Sequence, residues 1–194
     1  MKRWKQSLEE LKDIRVLVCC GMLAALALAL SLVASIDLGP YVRIGFSSVP
    51  NRVVDDLFGP VVGMIFGAIL DILKLIIKPT GPYFPGFTLT AMMGSVIFGG
   101  ILYRRKLTIT RVLVAQLLLK VICNVCMNSL WLKLLYGQAL LALLPSRLLS
   151  NAIMLPIDTL ICYLVLRLLR PRISRLLGWK LPGTDTQEPQ AKSE

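Results

Sequence analysis

Apolar residues run through this chain in blocks rather than in alternation. Five blocks are long and carry few charges: Ile14–Ile36, Pro60–Ile77, Phe87–Tyr103, Val112–Leu132 and Leu148–Leu169. A helix needs about 17–25 apolar residues to cross a bilayer, so each block predicts a membrane-spanning helix. A sixth block, Ile44–Phe58, is short and carries Asn51, Arg52, Asp55 and Asp56. Lipid does not tolerate exposed polar backbone, so this block reads as a short, tilted or re-entrant helix shielded by its neighbours. The expectation is an all-α integral membrane protein, six transmembrane helices in a single bundle, with residues 14–170 as its one membrane domain. Residues 1–13 alternate Trp4, Leu8 and Leu11 with charges, which suits an interfacial helix. Residues 171–194 read as a tail that is first basic and then disordered.

Charge adds an orientation. Lys2, Arg3, Lys5, Lys12 and Arg15 precede the first span; Arg104, Arg105, Lys106 and Arg111 join the fourth to the fifth; Arg167, Arg170, Arg172, Arg175 and Lys180 close the last. Short cytoplasmic segments collect Lys and Arg, so both termini are expected in the cytoplasm of a multi-pass protein of the cell membrane. The net charge of +11 then reports topology and anionic headgroups, not nucleic acid. The first block is too long for a cleaved signal peptide, and no small-residue cleavage site clearly follows it.

Several kinds of chemistry are missing. No Gly-x-x-x-x-Gly-Lys-Ser/Thr loop is present to cradle ATP. The chain has no histidine, which removes the commonest metal ligand and general base. Cys19, Cys20, Cys123, Cys126 and Cys162 all fall inside apolar blocks, where cysteine packs as a small hydrophobe. No enzyme, metal site or resident cofactor is expected.

What remains is a set of polar and aromatic residues on one side. Asp71 and Lys74 lie inside an apolar block, and an ionisable group in hydrocarbon marks a functional site by default. They fall about 17 and 21 Å from the inner end of their span at 1.5 Å per residue. The block then breaks into Lys78-Pro-Thr-Gly-Pro-Tyr-Phe-Pro-Gly-Phe87, a stiff loop rich in flat rings. Arg43, Tyr83, Phe84, Phe87, Asn128, Trp131, Tyr136, Arg147 and Asn151 gather at the same outer face. Together they predict an outward-facing ligand pocket. Each also has a plainer reading. Arg43, Lys74, Lys78 and Arg147 suit cations snorkelling to phosphates, the Trp and Tyr residues an aromatic belt, and Asp71 with Lys74 a structural pair. Asp158 reads as a polar helix–helix contact rather than a ligand contact. Gly21, Ala25 and Ala29 place small side chains on one face of the first span, suited either to packing within the bundle or to a partner helix.

These residues carry a resemblance. The strings Arg43-x-Gly45-Phe46-x-x-x-Pro50, Phe58-Gly-Pro60-x-x-Gly63, Gly67-x-x-x-Asp71, Tyr83-Phe-Pro-Gly-Phe-Thr-Leu89, Asn124-x-x-x-Asn128-Ser-Leu-Trp131 and Arg147-x-x-x-Asn151 resemble the folate-specific substrate-binding (S) components of energy-coupling factor (ECF) transporters. The resemblance implies a six-helix subunit that captures folate outside. It implies delivery to a module of one membrane coupling protein and two ATPase subunits, which would explain the missing phosphate loop. Under it, Asp71 accepts the paired N–H groups of the pterin edge, and Asn128 or Asn151 completes the pattern. Phe84, Phe87 and Trp131 stack on the rings, Arg43, Lys74 and Arg147 meet the glutamate carboxylates, and Tyr83 belongs to the same pocket. The family docks its coupling protein through an alanine-rich first helix, which gives Gly21, Ala25 and Ala29 a partner. The alternatives are the same scaffold holding riboflavin or pantothenate, and a stand-alone ion-coupled carrier using Asp71 and Asp158.

Overall fold

The computed structural model of the chain describes residues 2–33, 35–37, 43–45, 48–77, 84–136 and 140–178. A short helix, α1 (Lys2–Glu10), precedes α2 (Ile14–Val33), and a small antiparallel pair follows, β1 (Ser35–Asp37) with β2 (Arg43–Gly45). Then come α3 (Val49–Leu57), α4 (Gly59–Ile77), α5 (Pro85–Leu102) and α6 (Ile109–Leu119). A π-helical stretch, Lys120–Met127, continues α6 into α7 (Asn128–Tyr136), and α8 (Leu140–Leu177) closes the chain.

Among the described residues, five helices are long and apolar enough to cross a membrane: α2, α4, α5, the α6–α7 run and the Ser150–Arg175 part of α8. The five apolar blocks of the sequence all became spans, most with ends shifted by a few residues and two with larger changes. Ile36 belongs to β1, not to the first helix, and pairs with Ile44 across the ladder. The last helix begins at Leu140 and continues to Leu177, so its 38 residues extend about 57 Å, well beyond the roughly 30 Å hydrocarbon core. Residue 170 therefore does not end the bundle; Arg170 and Ser174 are buried. The rest of the expected tail, 179–194, lies outside the described residues.

The sixth block became α3, and it differs in kind. Its nine residues extend about 14 Å, half of a bilayer core. Val53, Val54 and Leu57 pack into the core beside Phe66 of α4, Phe98 of α5 and Leu166 of α8. Asp55 and Asp56 are fully buried with them. A carboxylate is tolerated there only with a partner, and each has one. Asp55 meets Arg52 at 2.9 Å. Asp56 receives both Nε and Nη2 of Arg170 at 2.7 Å, a two-pronged pair spanning 114 residues of sequence. Arg170 also donates to the carbonyls of Arg105 and Leu102, so one guanidinium ties the end of α3 to the end of α5 from α8.

The turn from α3 into α4 is made by Gly59 at φ +87°, a conformation that costs glycine little. There α1 docks against the bundle. Ser7 is fully buried; its hydroxyl donates to the Phe58 carbonyl at 2.7 Å and accepts from the amides of Val61 and Val62. Those amides belong to the first turn of α4, which leaves its leading N–H groups without partners inside the helix. Glu10 accepts from Tyr103 at 2.6 Å and from Arg104 at 3.1 Å, and burial pushes its carboxyl above the ordinary range against both donors. The polar Ser7 and Glu10 turn inward, and Leu8, one of the apolar residues expected at the membrane interface, is exposed to the outside of the bundle.

On α2, Val16, Leu23 and Ala27 face the core, while Leu17, Val18, Met22 and Leu26 face away from it. Gly21, Ala25 and Ala29 lie on the exposed side too; no atom of another element comes within 4 Å of where a Gly21 Cβ would sit.

Candidate functional site

Three groups of side chains lie between mid-depth and the end of the bundle opposite α1. The first is aromatic. Pro85 opens α5 and Phe84 precedes it in extended backbone, so the Pro-Gly-Phe segment starts a helix instead of continuing as a loop, as proline at a first turn favours. Phe84 packs against Phe87 edge-on at 6.0 Å and against Trp131 of α7 at 5.5 Å. Gly86 lies under both: a Cβ there would fall 2.4 Å from the Phe84 ring and 2.6 Å from Trp131. Trp131 Nε1 donates to Thr90 Oγ1 at 3.0 Å, and Thr90 donates to the Gly86 carbonyl at 2.9 Å. Tryptophan and glycine are thus locked by one another.

The second group is an amide row. Asn128 donates to Asn124 at 3.4 Å, and Asn124 donates to Asn151 of α8 at 3.3 Å. The row joins the fifth span to the sixth and starts inside the π-helical stretch, a form that concentrates at functional sites.

The third group is charged. On α4, Asp71 is half-buried and accepts from Thr88 Oγ1 of α5 at 2.8 Å. Lys74 follows at i+3, half-buried, within the electrostatic reach of Asp71 and Arg52. Deeper in, Lys120 donates to Asp158 of α8 at 2.6 Å. Arg52 pairs with Asp55 and lies 5.2 Å over the Phe98 ring.

Between α3, the α6–π run and α8 is a cavity of about 150 Å³, lined by Arg52, Gln116, Lys120, Asn124, Asp158 and Cys162 among others. Ser48, which is exposed, and Val49 line it where α3 begins. The short α3 makes the space: a full-length helix would fill it. The volume is below the roughly 300–1,000 Å³ of sites that take a whole drug-sized ligand, so it suits one end of such a molecule.

Of the ten ligand candidates from the sequence, the seven whose side chains are described all lie outside this cavity. Phe84, Phe87 and Trp131 form one cluster, Asn128 and Asn151 join through Asn124, and Asp71 and Lys74 lie together on α4. Arg43 is placed on β2, where its backbone pairs with Asp37, and Arg147 falls within α8. Tyr83 lies outside the described residues. Sequence reasoning passed over Arg52, Gln116 and Lys120. Lys120 carried the same signal as Asp71, an ionisable group in an apolar block. Asp158, expected as a helix–helix contact, makes one with Lys120 and lines the cavity as well.

A bundle of membrane helices with a buried polar cavity and an aromatic cluster defines a membrane binding subunit. The family model for the ECF transporter substrate-specific component matches residues 15–166, and the chain belongs to that family. It is 38% identical over 153 residues to the folate transporter FolT of Clostridium novyi, covering 79% of this chain and 88% of the relative. It is 34% identical over 161 residues to the folate transporter FolT of Leuconostoc mesenteroides, covering 79% and 85%. A crystal structure of FolT bound with folic acid superposes with a TM-score of 0.71 at 30% identity, over 79% of this chain and 93% of that one.

Proposed function

We propose that this chain is the folate-binding subunit of an ECF importer, catching folate at the outer face of the cell membrane and presenting it to an ATP-driven module. The observation that carries the reading is the likeness to FolT bound with folic acid over nearly the whole of that chain. The aromatic cluster supplies faces for the pterin and aminobenzoyl rings, each stacked pair adding about 0.5–1.5 kcal/mol beyond burial. The asparagine row supplies donors and acceptors for polar ring edges. Arg43, Lys74 and Arg147 are the residues we assign nearest the glutamate tail. The partners are a membrane coupling protein and two ATPase subunits, and ATP is used there. The basic segments at α1, at the α5–α6 connection and at the end of α8 support a topology with both termini in the cytoplasm.

Calorimetry on the purified, detergent-solubilised chain tests this reading. One folate per chain should bind saturably, mass spectrometry should find folate carried through purification, and vesicles holding this chain alone should not accumulate it. Binding of riboflavin or pantothenate in place of folate would replace the substrate. Uptake by the chain alone would replace the mechanism.

A further inference from the structure

Helix α1 is fastened to the bundle by polar contacts more than by apolar ones. It has nine residues, fewer than the roughly 12–15 an isolated helix needs to hold in water. Among its described side chains the one apolar residue, Leu8, is exposed, and Leu11 just beyond it packs on the core half-buried. What holds α1 is Ser7 at the turn from α3 into α4 and Glu10 at the end of α5. Three residues apart, the two share one face of the helix. Tyr103 joins both attachments. Its ring and Ser7 Oγ lie 3.1 and 2.9 Å from where a Gly59 Cβ would sit, and its hydroxyl donates to Glu10.

The Glu10 attachment works against the carboxylate's charge. The residue is 7% exposed. Oε1 accepts from Tyr103 and Arg104, while Oε2 is buried and has no hydrogen-bond partner among the described residues. A carboxylate oxygen left bare away from water favours the neutral acid, and burial is what raises this carboxyl above its ordinary range. Few groups face it. The helix that α1 packs on, α4, carries no ionisable side chain before Asp71. From the end of α5 come Tyr103 and Arg104, whose guanidinium is 42% exposed and so partly screened by water. Glu9, Lys12 and Arg15 are exposed, and Asp13 accepts from the Arg15 amide.

Arg104 reaches Glu10 at a backbone cost. Tyr103 (φ −52°, ψ 125°) and Arg104 (φ +52°) are the central residues of a turn closed by the Arg105 amide on the Leu102 carbonyl at 3.0 Å. That is a type II turn, whose second central position favours glycine. Side chains held in such sparsely populated backbone conformations cluster at switch regions. We infer that α1 is a releasable clamp: it closes on the ends of α4 and α5 with Glu10 neutral and lets go when Glu10 ionises. The clamped carboxyl holds its proton more tightly than a free one. Clamping is therefore favoured at low pH, and the advantage is lost as pH rises from the ordinary glutamate range through the raised one. A plain Glu10–Arg104 ion pair would do the reverse and tighten as the carboxylate ionises. A turn closed by the Lys12 and Asp13 amides on the carbonyls of Glu9 and Glu10 leads from α1 to α2, so release also frees the near end of the first span.

Hydrogen exchange of the whole chain in detergent, read by mass spectrometry and corrected for the intrinsic rate at each pH, tests the clamp. The reporters are the amides of α1 and those of Val61 and Val62, which donate to Ser7. Between about pH 5 and about pH 8 their exchange should quicken severalfold while the amides of α5 stay protected. Glu10→Gln keeps the shape and cannot ionise, so it should hold α1 closed and flatten the response. Arg104→Gly suits the turn and removes the cation that favours the ionised form, so it should widen the response. Exchange that slows or does not change as pH rises overturns the clamp, as does an equal response in the native chain and Glu10→Gln. Should Glu10→Gln fail to fold, a narrower response in Arg104→Gly than in the native chain overturns it instead.

Discussion

Asp56 shows how a single residue in this bundle depends on another far away in the chain. It is fully buried, and its stability rests on Arg170. Removing the guanidinium leaves a carboxylate with no counter-charge, which typically costs about 3–5 kcal/mol. Arg170→Ala should therefore lower the unfolding temperature in detergent sharply, while the double variant Arg170→Met with Asp56→Leu should recover most of it. Equal destabilisation by single and double variants would show that Arg170 acts through its carbonyl contacts to Arg105 and Leu102. The same physics explains why α3 was hard to read. Its charges look hostile to a membrane until Arg170, 114 residues away, is in place. At the candidate site the aromatic residues were legible as a group because the Pro-Gly break holds Phe84 and Phe87 together at the start of α5. Lys120 was not: the pattern of apolar positions gives no hint that Asp158 lies beside it.

At the scale of elements, hydropathy located all five long spans, since crossing a bilayer demands an uninterrupted apolar run. It gave no account of how they pack, and α2 is the instructive case. The sequence left Gly21, Ala25 and Ala29 two uses, within the bundle or against a partner, and they lie on the exposed side of the helix. Bulk added there points away from the described part of the bundle. We expect Ala25→Trp with Ala29→Trp to bind folate with native affinity, while uptake and co-purification with the ATPase module fall together. Overpacking of a close helix contact costs about 1–3 kcal/mol per site, enough to lose most assembled complex. Loss of folate binding with assembly preserved would return the stripe to the bundle's interior. The π-helical stretch was invisible beforehand, because no residue pattern distinguishes it from the α-helix on either side.

For the whole molecule, the binding reading fixes a direction across the membrane. The α1 end carries the basic residues, and the cavity, amide row and aromatic cluster lie away from it. A cysteine placed at Lys12 in a background without native cysteines should resist an impermeant thiol reagent in intact cells. One placed at Thr80, in the connection between α4 and α5, should react, and react less when folate is bound. Labelling of the Lys12 position from outside would turn the protein over and put its binding side in the cytoplasm. The short α3 ties this direction to the site: it fills only the half of the bundle nearest α1, and the cavity begins where it stops.

The seal made by Ser7 has a consequence for the order in which the protein takes shape. Its three partners, Phe58, Val61 and Val62, are more than fifty residues further along the chain. Synthesis proceeds from the N-terminus, so α1 leaves the ribosome long before the turn it caps has been made. Until then its buried serine and glutamate have nothing to bury against, and the segment has to wait at the membrane surface. A helix made early is thus fixed only by segments made later, Phe58 to Val62 and then Tyr103 and Arg104.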